Sequence, residues 1–137
     1  MKQLSAVLLL FTVLACSKSD QDVKANRLVG TWQLTTYCRP TGSASCTAVS
    51  VPTDKGVYIT FDKDGGFNEF YENTKPIDYS FLGCGMGNYT IEGDDVRIMA
   101  VCMSSMQGRL MKIVSVANNQ LIINPYGTGE YVFVERR

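Results

Sequence analysis

The chain contains no histidine. That absence removes the commonest general base, the usual partner of a nucleophilic serine or cysteine, and the commonest zinc ligand. Neither sign of charge is in surplus, with 13 Lys and Arg against 13 Asp and Glu. A nucleic-acid binder ordinarily carries a basic excess, so no nucleic-acid partner is expected. No apolar run is long enough to cross a bilayer comfortably; the longest, Ala6 to Leu14, lies near the amino terminus. No nucleophile and base can be paired from the residues present, so the chain is expected not to be an enzyme, and no cofactor is implied.

What is present begins with Lys2, the apolar run, and then Leu14-Ala15-Cys16. A basic start, a short apolar stretch and a small residue at its end have the form of a secretory signal peptide. The Leu-Ala-Cys ending resembles the lipobox of bacterial lipoproteins, which implies cleavage before Cys16 and lipidation of its sulfur and new amino terminus. Several acyl chains make a durable anchor because each buried methylene contributes about 0.8 kcal/mol. Ser17 rather than an aspartate after Cys16 resembles lipoproteins sent to the outer membrane. Lys18 with Asp20 and Asp22 resembles, faintly, the charged export tethers of Bacteroidota surface lipoproteins. The expected organisation is a signal peptide over 1–15, a lipidated cysteine with a flexible polar tether over 16–27, and one domain over 28–137. The membrane is then a partner through the lipid, on the periplasmic or the cell-surface face.

Four further cysteines, Cys38, Cys46, Cys84 and Cys102, form an even set in an exported chain and read as two disulfides. Three pairings are open. Cys38 with Cys46 and Cys84 with Cys102 is favoured, because each pair closes a short loop, and each bridge is worth about 2 to 4 kcal/mol. Clustered spacing and histidine partners are both missing, so a metal site is not expected.

From Trp32 onward the chain reads as strand, turn, strand. Trp32, Leu34 and Thr36 alternate with Gln33, Thr35 and Tyr37, and Val57, Ile59 and Phe61 alternate with Tyr58, Thr60 and Asp62. Turn signals at Asp64-Gly65-Gly66, Glu92-Gly93-Asp94, Asn118-Asn119 and Tyr126-Gly127-Thr128-Gly129 each separate two apolar-rich runs. Strands are expected near 29–38, 56–62, 67–72, 87–92, 95–101, 109–117, 120–124 and 130–135, with a further candidate at 77–82. A short helical turn over 22–28 precedes them. Residues 39–55, rich in Ser, Thr, Gly and Pro, are expected as one long irregular loop pinned by the first disulfide. About eight short antiparallel strands with almost no helix predict an all-β fold, a small up-and-down barrel whose closure removes its edges.

Gly30-Thr31-Trp32 at the domain start resembles the Gly-x-Trp opening of lipocalins and of small bacterial lipocalin-like lipoproteins. That resemblance implies a lipocalin-like β-barrel with Trp32 as a structural plug at one end and an apolar cavity within. Gly83-Cys84-Gly85-Met86-Gly87-Asn88-Tyr89 followed by Met99-Ala100-Val101-Cys102 also resembles part of the META domain of bacterial envelope proteins. Gly85 replaces that family's Asn, and Val101 interrupts its last element.

Five methionines, Met86, Met99, Met103, Met106 and Met111, fall within 26 residues. Flexible thioethers suit an irregular core or an adaptable pocket better here than a soft-metal site. Ile59, Phe61, Met99, Met111 and Phe133 are the candidate cavity lining for a small apolar or amphipathic ligand. Arg97, Arg109, Asp78 and Glu69 are candidates for charges at a barrel mouth, weighed against ordinary solvated strand faces. Asp62-Lys63-Asp64-Gly65-Gly66 lacks the ligand spacing of a calcium loop and is expected to be a hairpin turn. The alternative function is an envelope protein partner, as for a hydrolase inhibitor or an assembly or stress factor, engaged through the disulfide-pinned 39–55 loop, with its tip at Gly42 to Ser45, and the Cys84 to Cys102 region.

Overall fold

The structure, a computed structural model, describes residues 17–40, 46–79, 81–83 and 85–137, with side chains from Val23 onward except at 39 and 40. The signal peptide, Cys16, the loop tip Gly42 to Ser45, and Cys84 lie outside the described residues. Helix α1 (Ser17–Leu28) leads into nine described strands. These are β1 (Gly30–Pro40), β2 (Cys46–Ser50), β3 (Gly56–Phe61), β4 (Gly66–Glu72), β5 (Met86–Glu92), β6 (Asp95–Ala100), β7 (Arg109–Ala117), β8 (Gln120–Asn124) and β9 (Tyr131–Arg136). Among the described residues, no helix is long and apolar enough to cross a membrane.

All neighbouring strands are antiparallel, and β1 pairs with β9 as well as with β3. Eight strands therefore close on themselves as an up-and-down barrel, and β2 is an extra strand outside the circuit. Closure through β1 and β9 pairs the two strands that would be the edges of an open sheet. Alternation places Val57, Ile59 and Phe61 of β3, Val96, Ile98 and Ala100 of β6, and Tyr131 and Phe133 of β9 inside, all buried.

β1 departs from simple alternation. A bulge between Leu34 and Thr36 leaves Thr35 as the extra residue, with its hydroxyl donating to the Val132 carbonyl at 3.0 Å. The phase changes there, so Tyr37 turns inward and buries, where strict period two would have sent Thr36. Below the bulge β1 pairs with β3; above it, Thr36 to Pro40 pair with Ser50 to Cys46 of β2.

Two expected elements differ. Residues 46–50 are a strand, not irregular loop, because the overlong β1 offers a free edge and the Cys38–Cys46 disulfide holds the segment beside it. Among the described residues of 77–82 there is no strand: Pro76–Asp78 is a 3₁₀ turn, and Tyr79 and Phe81 reach the barrel mouth. β4 pairs with β5 only through Gly66 to Asn68, which leaves the upper half of β4 to face this crossing segment. α1 takes in the segment expected as tether; its last residue, Leu28, is fully buried under the barrel.

Candidate binding site at the loop end of the barrel

The barrel has a turn end and a loop end. At the turn end, Asp62 to Gly65, Gly93-Asp94 and Asn118-Asn119 make tight hairpins. Asp62 caps its own turn, its carboxylate accepting the Asp64 and Gly66 N–H groups at 2.8 and 2.7 Å. This is hairpin chemistry, as expected, and it uses the oxygen that a cation would need. Trp32, 2 % exposed, plugs this end and donates its indole N–H to the Leu28 carbonyl at 2.8 Å.

At the loop end, the β4–β5 connection folds down over the opening. Three barrel side chains each hold one of its backbone groups. Tyr37 donates its hydroxyl to the Asp78 carbonyl at 3.2 Å, and Tyr131 donates to the Tyr79 carbonyl at 2.8 Å. The Glu69 carboxylate accepts the Gly83 N–H at 2.9 and 3.0 Å, and the Tyr71 hydroxyl besides. Glu69 is 3 % exposed and is the one charged side chain in the core among the described residues. A buried carboxylate persists only where donors replace its water, which the Gly83 amide and Tyr71 do.

The connection brings two aromatic rings into the mouth. Tyr79 sits edge-on to Tyr37 at 5.1 Å, and Phe81 contacts Tyr131 and Phe133 at 5.6 and 6.0 Å. Burial pushes the Tyr131 phenol well above its ordinary value, and the neighbouring Tyr126 and Tyr37 add to the shift. Tyr126 is likewise raised, chiefly by burial, with Arg109 opposing and Glu69 reinforcing.

Beside this cap lies a cavity of about 250 Å³, walled by Phe81 and Leu82 of the cap, Met103 and Gly108 of the β6–β7 connection, and Arg109 and Tyr126. The Arg109 guanidinium lies over the Tyr126 ring at 4.7 Å. On the other side of that stack is a more open depression of about 500 Å³ that includes Lys112 and Asn124. Gly108, at φ +66°, packs against the Ile98 carbonyl so closely that a side chain there would collide with backbone. That close turn delivers Arg109 to the start of β7.

The five expected lining residues divide. Ile59, Phe61, Met111 and Phe133 are buried in the common core, but the loop-end cavity takes its walls from other residues. Met99 is a correction: Val96, Ile98 and Ala100 use the inward phase of β6, which turns Met99 to the outer face, 37 % exposed. Met86, Val101, Met106 and Leu110 are exposed in the same region, so most of the methionine cluster is on the surface. Of the four candidate mouth charges, Glu69 and Arg109 reach the site. Asp78 contributes its carbonyl to the cap, and Arg97 instead pairs with Glu92 on the outside at 2.5 Å.

The Cys38–Cys46 disulfide is formed as expected and packs against Gly129, where any side chain would strike both sulfurs. Cys102 is also disulfide-bonded; Cys84, its expected partner, lies outside the described residues. Outward aromatics cover one another: Tyr58 stacks on its cross-strand neighbour Phe70 at 4.6 Å, with the Arg136 guanidinium over it at 4.6 Å. Among the described residues, no group of three or more acidic or cysteine side chains is placed to hold a metal.

The burial of Glu69 had a sequence signal, since it shares the phase of Phe67 and Tyr71 on β4. The role of Gly83 and the Arg109–Tyr126 stack had none, because both join segments distant in the chain.

The model of the lipocalin-like domain family matches residues 28–123. A lipocalin-like protein from Bacteroides uniformis is similar at 19 % identity and a TM-score of 0.46, over 80 % of this chain and 99 % of that one. An uncharacterized protein from Bacteroides eggerthii is similar at 19 % identity and a TM-score of 0.42, with the same coverage. No curated protein matches the chain.

Proposed function

Since the chain belongs to the lipocalin-like domain family, we propose that it binds a small apolar or amphipathic molecule at the loop end of its barrel while anchored by lipid in the bacterial envelope. The observation that carries this reading is the cavity between Phe81, Met103 and Tyr126, next to a cap held by backbone hydrogen bonds. Small ligands occupy concave sites where apolar walls meet placed polar groups, here Ser104, Ser105 and Arg109, and loops on a rigid barrel are where proteins build them. The lipocalin-like fold is typically one of binding rather than catalysis. α1 enters at the turn end, so an anchor at Cys16 would leave the loop end directed away from the membrane.

The test is the mass of the protein as the cell makes it. Expressed with its own leader in a bacterium with two membranes, released by proteolysis and weighed under non-denaturing conditions, it should carry a reproducible extra mass that denaturation removes. A bare mass would count against cargo binding. Recovery of a Cys16→Ser variant in the membrane fraction would count against the anchor.

A second reading, contact with an envelope protein, is favoured by Val101 and Met106, 81 % and 100 % exposed on the β6–β7 connection. Exposed apolar side chains of adaptable shape suit a protein partner. Replacing both with serine should weaken a partner captured by crosslinking in the envelope without changing the melting temperature. Unaltered crosslinking would remove this reading.

A further inference from the structure

The loop-end cavity has one charged wall, and its sign points to a ligand class. Arg97, Arg136 and Arg137 each lie within 4 Å of a carboxylate. Arg109 has no such partner among the described residues; its guanidinium instead lies over the Tyr126 ring at the cavity rim. A guanidinium carries five N–H donors, so one that rests on the Tyr126 ring and bonds its hydroxyl still has donors for an acceptor. Ser104 and Ser105 add hydroxyls on the same rim. Lys112 stands in the adjoining depression, but Asp95 faces it across the β6–β7 pair and offsets it, so Arg109 is the charge that this cavity presents.

Glu69, the carboxylate nearest in character to a counter-group for a cationic ligand, is already engaged by the Gly83 amide and Tyr71 and is buried beneath the cap. A cation would have to displace those donors. Phe81, Leu82 and Met103 add uncharged apolar surface to the same cavity.

We propose that this cavity takes an amphipathic anion, with its acidic head held by Arg109 and its apolar or aromatic body lying against Phe81 and Met103. The inference rests on the binding function proposed above and specifies its ligand class. An acidic head and a guanidinium make a charge-assisted, two-pronged hydrogen bond, and the Tyr126 ring keeps the fork oriented toward the opening. The small volume favours a compact body such as a single ring or a short chain.

The test uses three probes of one shape and different heads: phenylpropionate, phenylpropylamine and phenylpropanol, titrated calorimetrically into the full chain carrying Cys16→Ser. The acid is expected to bind about tenfold more tightly than the alcohol, a head-group gain of the size one charge-assisted hydrogen bond supplies. Arg109→Gln should bring the acid down to the affinity of the alcohol, and Arg109→Lys, which keeps the charge but not the fork, should retain part of the gain. Arg109 is exposed, so neither variant threatens folding. Equal affinities for acid and alcohol, or an acid preference that survives in Arg109→Gln, would overturn the anionic head. A preference for the amine would overturn it in favour of a cation. Failure of all three probes to bind, alongside a cargo mass on the envelope-purified protein, would end this inference and leave the broader binding function standing.

Discussion

At the turn end of the barrel, the strands reverse within a few residues and the opening is filled by apolar side chains, Leu28 and Trp32, with one indole hydrogen bond between them. At the loop end, the connections are longer and the opening is covered by peptide, held through Tyr37, Tyr131 and Glu69. The first closure relies on packing, which has no alternative arrangement of similar energy. The second relies on a few hydrogen bonds to backbone, each contributing about 1 kcal/mol net, and can open locally without unfolding the barrel. A binding barrel needs both: a floor that stays shut and a cover that can yield. The one buried charge among the described residues, Glu69, belongs to the loop-end closure, while the turn end keeps its charges on the outside.

Removing the plug should break the comparison most severely. Trp32→Ala deletes a buried indole and should cost about 3 to 5 kcal/mol, measured as a lower midpoint of urea unfolding. A cost below about 1 kcal/mol would mean that the turn end is not sealed by packing. Replacing Cys38 and Cys46 with serine opens a bridge spanning a sequence separation of 8 and should cost about 2 to 3 kcal/mol by the same measurement. An unchanged midpoint would show that β2 holds its place without the bridge.

Glu69→Ala leaves the Gly83 amide and the Tyr71 hydroxyl without their acceptor, at about 1 to 3 kcal/mol. Its signature should be local: amide exchange at Gly83 rises, while exchange of the Trp32 indole N–H follows only the global loss. Equal acceleration at both ends would mean that the cap is not an independent unit.

The raised Tyr131 phenol supplies a pH test. Its neutral form is favoured in the folded state, so stability is intact below the ordinary tyrosine value of 10 and declines as pH rises above it toward the higher folded value. Tyr131→Phe should flatten that alkaline decline and, by losing the bond to the Tyr79 carbonyl, cost about 1 kcal/mol at neutral pH. An alkaline decline of undiminished steepness in the variant would assign it to other groups. The smallest effect belongs to the exposed turn-end pair Lys24–Asp94. The hydrogen bond from Lys24 lowers the Asp94 carboxyl, so its contribution is present above the ordinary aspartate value and disappears as pH falls through the lowered one. Asp94→Asn should make the acid unfolding curve slightly less steep and leave ligand binding unaltered.

The strand pattern was legible because period-two alternation and turn residues are local signals. Val57 to Phe61 needed only their own sequence to declare an inward face, and Asn118-Asn119, at φ 53° and 59°, declared a hairpin. The site was much less legible. Met99 looked like lining because it is apolar, but on β6 it shares the outward phase of Asp95 and Arg97, opposite Val96 and Ile98. β2 was hidden in a Ser- and Thr-rich stretch because its strand character comes from the free edge of β1 rather than from its own propensity. The bulge at Thr35, which reverses the facing of Tyr37, left no mark in the alternation itself.

By itself the sequence determined that the chain is an all-β barrel with paired cysteines, opened by a Gly-x-Trp segment, because strand period, turn chemistry and cysteine spacing act over a few residues. Only the tertiary structure decided that Glu69 is buried under Gly83, that Arg109 stacks on Tyr126, and that Met86, Met99 and Met106 face outward while Met111 is buried. Those outcomes depend on which strand ends meet, on the short pairing of β4 with β5, and on a connection folding across the opening. Such contacts join residues far apart in the chain, and their geometry exists only once the barrel has closed.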